Sequence, residues 1–100
     1  MRKGAAEFAV LSALRDGELY GVELVRRLTG ADGVGLSEGT VYPLLRRLQA
    51  DGRLAARWET SDTAPPRKYY SLTPAGRKAA DGMLTFWRQF QTQLNAIVRP

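Results

Sequence analysis

The chain contains no cysteine and no histidine in its 100 residues. Without cysteine there is no disulfide framework, and nothing argues for secretion. Together the two absences remove the commonest general base, the commonest thiol nucleophile and the usual zinc ligands. The carboxylates that remain are scattered and do not pair at helical spacing on a plausible pocket face, so neither catalysis nor a metal or other cofactor is expected. No apolar run approaches the roughly 20 residues of a membrane span. The basic start, Met1-Arg2-Lys3-Gly4-Ala5-Ala6, is followed by Glu7 and Ser12 and by no small-residue cleavage site. No signal peptide is expected, and the cytoplasm is the default compartment. The glycine-rich "GADGVG" at 30–35 lacks the Lys-Ser/Thr end of a phosphate loop and follows a helix, so it reads as a connection.

What is present is one domain's worth of chain with an ordinary apolar share and a net charge of +5. The charge is localised. Residues 1–36 balance to zero, residues 37–78 carry +4 and residues 79–100 add +1. A basic excess in the middle of the chain favours a polyanion such as nucleic acid or a membrane surface; the alternative is a solvated face with extra arginines.

Hydrophobic spacing predicts four helices and a hairpin. "AAEFAVLSALRD" (5–16) has a wide apolar stripe of Phe8, Val10, Leu11 and Leu14, ended by Gly17 and suited to burial on more than one side. "YGVELVRRLTG" (20–30) repeats the helical spacing with Leu24, Val25 and Leu28. The third helix, 37–51, has Ser37 as N-cap, a Leu36–Val41 hydrophobic staple, an apolar face of Val41, Leu44, Leu45 and Leu48, and Asp51-Gly52 as its stop. "RLAARWET" and "RKYYSLT" alternate with period two around the linker "SDTAPP", placing Leu54, Ala56 and Trp58 on one side and Tyr70 with Leu72. Thr73-Pro74 then opens a long final helix, with Thr as cap and Pro at its first position. In it Ala80, Met83, Trp87, Phe90, Leu94 and Ile97 step by three and four, as an a/d seam does. So small a domain cannot cover the whole stripe, which predicts a homodimer through that seam.

Three helices and a basic hairpin make a mainly α chain with a two-stranded β-wing. It reads as a winged helix-turn-helix over 1–72 and a dimerisation helix over 73–100. In such a fold the third helix enters the major groove. Its outer face carries Gly39, Tyr42, Pro43, Arg46 and Ala50, flanked by Thr40 and Arg47. Gly39 keeps the first turn thin, while Ser37, Thr40 and Tyr42 offer hydroxyls to phosphates or base edges. Arg46 points from mid-face toward a base edge, and Arg47 lies further round, toward phosphate. Pro43 leaves the Gly39 carbonyl without its usual partner. Arg67 and Lys68, read at the hairpin base, would reach phosphates of a flanking groove. Arg57 is the weaker candidate because Glu59 shares its side. Each assignment has a plainer alternative: Ser37 as cap alone, the Tyr42 ring packed on the hairpin, solvated arginines.

"SEGTVYPLLRRLQADGRL", followed by "PPRKYYSLTPAGR", resembles the signature of PadR-like transcriptional regulators. "GELYGVELVRRL" is similar to the family's entry into its second helix, although Val22 stands where the family often has an aromatic. The resemblance runs from about residue 8 to residue 78 and is to the short branch with one C-terminal helix. It implies a homodimeric regulator, by default a repressor of an inverted-repeat operator in double-stranded DNA, in some members released by a planar aromatic or phenolic molecule. By position it puts Ser37, Thr40, Tyr42 and Arg46 on the recognition helix and Arg67 and Lys68 on the wing. It also suggests a flat-ligand site in which Phe86, Trp87 and Phe90 form a wall and Phe8 and Leu11 help to close it; the alternative is ordinary interface packing. Two other classes of function remain open: a protein-interaction winged helix that does not bind DNA, and a small-ligand carrier using the dimer pocket.

Overall fold

In a computed structural model of the chain, residues 3–30 and 33–98 are described. Both ends of the chain and the first two positions of the "ADGVG" loop lie outside that range. Along the chain run α1 (Lys3–Ala13), β1 (Leu19–Tyr20), α2 (Gly21–Thr29), α3 (Glu38–Ala50), β2 (Leu54–Glu59), β3 (Arg67–Leu72) and α4 (Pro74–Ile97). The winged-helix order expected from the sequence is the order observed.

The wing differs in one respect. It is a three-stranded antiparallel sheet, ordered β1-β3-β2, rather than a two-stranded hairpin. Leu19 and Tyr20 pair with Tyr70 and Tyr69. Two residues are too few to show a period, so nothing in the sequence separates β1 from the helix that follows. Helix α1 also ends earlier than Gly17. Leu14, Arg15 and Gly17 each donate to a carbonyl three residues back, which tightens the chain into turns. Gly17 then takes a φ of 143° that a side chain would resist.

Four elements meet in one core. Val10 and Leu11 of α1, Leu14 of the turn after it, Leu24 of α2, and Val41, Leu45 and Leu48 of α3 are all within 1% of complete burial, and Leu54 of β2 closes the layer. The apolar face read for the third helix is therefore its buried face. Ser37 caps that helix by accepting from the Thr40 amide at 3.2 Å, and Leu36 and Val41 are both buried, as a staple requires. Gly52, with φ 76°, turns the chain out of α3 and into the wing.

Helix α4 is rooted in the same core. Thr73 caps it by accepting from the Gly76 amide at 3.0 Å and also donates to the Gly52 carbonyl. Gly76 passes so close to the Arg53 carbonyl oxygen that a β-carbon would collide with it. Ala80 is fully buried, and Ala79 and Met83 pack against the core. Beyond Met83 the helix runs out from the core, with Trp87 still meeting Phe8 of α1.

Candidate nucleic-acid interface

The outer face of α3 is open. Ser37, Glu38, Gly39, Thr40, Tyr42, Pro43 and Arg46 are all exposed, while Val41, Leu44, Leu45 and Leu48 face inward. Tyr42 keeps 45% of its surface in solvent, so the hairpin does not bury its ring. Around Gly39 a β-carbon would meet only the Ser37 hydroxyl oxygen, at 3.8 Å. The fold itself thus has no steric need for glycine there. Among the described residues Arg46 forms no ion pair, which leaves its guanidinium available to a partner.

Arg47 sits differently. It is half-buried, 3.9 Å from the Glu7 carboxylate, and Glu7 is more tightly engaged by Arg53. This carboxylate on α1, largely covered, ties together the C-terminal part of α3 and the turn after it. Arg47 is a partner of Glu7 before it is a partner of phosphate. Nothing local in the sequence signals this, because Glu7 lies 40 residues from Arg47 and carries no motif.

The wing lays out its charges in register. Arg57 lies opposite Tyr69, Trp58 opposite Lys68, and Glu59 opposite Arg67. Arg67 and Lys68 are thus at the loop end of β3, not at the hairpin base, because the strand begins directly after Pro66. The base rung is Leu54 with Leu72. Arg67 lies with its guanidinium carbon 5.2 Å from the centre of the Tyr20 ring. The Lys68 ammonium is 5.2 Å from the Tyr70 ring centre and 5.7 Å from that of Trp58.

Arg57 is occupied. It donates twice to Glu18, at 2.7 and 2.6 Å, and once to Glu59 at 3.3 Å. Its guanidinium also rests 4.6 Å from the centre of the Tyr69 ring. The hydrogen bonds from Arg57 hold the Glu18 carboxyl below the usual carboxylate range, and the bonds to Glu18 push the Arg57 guanidinium up. The fork-to-fork pair reaches from the residue before β1 across the sheet to β2, and fixes the outer strands relative to each other.

The aromatic residues of the final helix do meet those of α1. Phe8 and Trp87 have ring centres 6.4 Å apart, Trp87 and Phe90 6.1 Å, and Phe86 and Phe90 stack at 6.3 Å with 9° between planes. Leu11, expected to help close a ligand site, is completely buried in the core and can wall nothing from outside. The expected seam divides likewise. Ala80 is covered by the core of its own chain and Met83 packs against it, because the first turns of α4 lie on α1. Trp87, Phe90, Leu94 and Ile97 remain uncovered. Among the described residues no group of three acidic side chains could hold a metal ion, and no helix is long and apolar enough to cross a membrane.

The chain and its fold are similar to known proteins. The model of the transcriptional regulator PadR-like family matches residues 10–81. A transcriptional regulator of Mycobacterium tuberculosis, Rv3488, is 37% identical over 78 residues, which span 78% of this chain and 71% of that protein. Among solved structures, a PadR-like transcriptional regulator from Bacillus cereus superposes with a TM-score of 0.83 at 31% identity, covering 98% of this chain and 95% of the other. A PadR-like transcription factor from Bacteroides fragilis superposes at 0.80 with 35% identity, covering 98% and 94%. The chain therefore belongs to the PadR-like family of DNA-binding transcriptional regulators, a winged-helix family of regulators and not of enzymes.

Proposed function

We propose that the protein is a homodimeric repressor that reads an inverted-repeat operator, with α3 of each protomer in successive major grooves and the wings on the flanking backbone. Residues 1–72 serve as the reading head and residues 73–100 as the dimerisation helix. The observation that carries this reading is the open outer face of α3. It combines an exposed Arg46 that forms no ion pair among the described residues with a glycine whose small size the fold does not use. A groove-filling helix needs that combination: a thin first turn for close approach and a fork in mid-face for a guanine edge. Ser37 is already engaged as a cap, so Thr40, Tyr42 and Arg46 make the base-side contacts, and Pro43 lies on the same face. Arg67 and Lys68 supply phosphate contacts, while Arg47 does so only in competition with Glu7.

A protein-docking module with the same basic face would not need the thin turn at Gly39. Release by a planar aromatic molecule would use Phe8, Phe86, Trp87 and Phe90, whose rings cluster on α1 and α4. Selection of bound sequences from a random duplex pool tests the main reading. The expected result is a palindromic consensus whose affinity falls as salt rises, by about 0.9 log units per log unit of salt for each phosphate contact. Arg46→Ala should cost about 1–3 kcal/mol and relax preference at one base position of each half-site. No enrichment at low salt, or an unaltered consensus for Arg46→Ala, overturns it.

A further inference from the structure

The core-facing side of the hairpin is built from three rungs, Leu54–Leu72, Ala56–Tyr70 and Trp58–Lys68. The first two are buried or half-buried, with Tyr70 closing the core at 8% exposure. The third overhangs. Trp58 has the alternation of a core residue, yet 62% of its surface is in solvent. The reason lies at the start of α2. Gly21 passes under the Tyr70 ring and the Lys68 carbonyl, and would hold a β-carbon 3.2 and 3.3 Å from them. The helical layer thus ends beneath the second rung, and the third projects beyond it. An indole left this bare on a small domain is costly unless something covers it.

Its immediate neighbours say what kind of partner fits. Lys68 stands over the indole at 5.7 Å, while Arg67, on the next rung, turns to the other side of the strand and lies over the Tyr20 ring. The surface is a flat apolar plate edged by one cation. Nucleic-acid backbone has the matching alternation, an apolar sugar wall beside a phosphate.

We propose that Trp58 and Lys68 form a composite backbone contact of the wing, with the indole against a deoxyribose of the DNA and the Lys68 ammonium on the adjoining phosphate. This rests on the DNA-binding reading above and adds to it a residue that reads no base. Sugar and phosphate contacts fix position on the duplex without regard to sequence. Trp58 should therefore contribute alike to operator and to unrelated DNA. A cross-strand role alone, the indole merely bracing the hairpin against Lys68, would instead show as lost thermal stability with unchanged affinity.

The test uses the full-length protein and two labelled duplexes, the sequence selected from the random pool and a scrambled duplex of equal length. Trp58→Thr keeps a strand-forming residue while removing the plate. It should weaken binding to both duplexes about tenfold, the size of one lost aromatic contact. The salt slope should be unchanged, and Trp58→Phe should recover most of the loss. The protein has two tryptophans, Trp58 and Trp87; the emission of the wild type less that of Trp58→Phe gives the Trp58 share, which should be quenched by either duplex. Wild-type affinity of Trp58→Thr, a loss confined to the selected sequence, or unmoved Trp58 emission overturns the contact. If binding persists and still depends on Arg46, that failure leaves the operator reading standing. If the wild-type protein binds neither duplex, both fall together.

Discussion

Two glycines in the first turns of helices behave in opposite ways. Around Gly39 a methyl group would find open space, with only the Ser37 hydroxyl oxygen near. Gly39→Ala should raise stability by about 0.5–1 kcal/mol, the ordinary helix preference of alanine over glycine. If the α3 face is pressed into a groove, the same methyl should weaken operator binding. Thermal melts and fluorescence anisotropy on one protein preparation would show the two effects with opposite signs; weakened stability would mean that the glycine serves the fold after all. Gly76 is the converse. Its missing side chain lets α4 pass against the Arg53 carbonyl oxygen, and Gly76→Ala should cost several kcal/mol, about 2–4, as an overpacked core position does. Denaturant unfolding would measure it, and a near-neutral result would show that α4 can shift aside. In the sequence both are simply glycines near a helix start. Only the neighbour brought in by the fold distinguishes them, so their roles could not be read from spacing.

At the scale of elements, what was legible was what is local. The cap at Ser37, the Leu36–Val41 staple, the Gly52 stop and the Thr73-Pro74 opening are each written within a few residues, and each appears where the sequence places it. Contacts made across the fold were not legible. The two-residue β1, the Glu7 link to Arg47 and Arg53, and the Glu18–Arg57 clasp join positions with no shared pattern. The exposure of Trp58 was not legible for a related reason: alternation put it on the side of Leu54 and Ala56, where it is, but does not tell how far the core extends beneath that side. The clasp makes an acid-side prediction. Because Arg57 lowers the Glu18 pKa in the folded protein, their pairing contributes stability that is fully present above the ordinary carboxylate value of about 4.3. It is lost as pH falls through the lowered folded value. Melting curves followed down from pH 6 should therefore fall more steeply for the wild type than for Glu18→Gln, and parallel curves would deny the clasp any part in holding the wing.

Taken as a whole, the molecule is long for its size, with principal extents of 59, 30 and 21 Å among the described residues. Its final helix of 24 residues accounts for this, rising about 1.5 Å at each. The periodic stripe of that helix was evident in the sequence. That its first members belong to the protomer's own core was not, because period reveals a face and is silent on which neighbour covers it. The uncovered part, from Trp87 to Ile97, is where a second copy should bind. Phe90→Glu should shift sedimentation from dimer to monomer at micromolar protein and abolish tight operator binding. It should leave the melting of the reading head nearly unchanged, because the ring is not part of the core. A dimer that survives the charge would place the interface elsewhere. Where α4 passes over Arg53 the joint has no room for a methyl group and little room to swivel, so the helix leaves the head at a set angle; two copies clasped through these arms, as proposed, would make a ruler. Such a ruler measures rather than adapts. Adding a single base pair between the two halves of the operator should cost far more affinity than mutating a base within one of them.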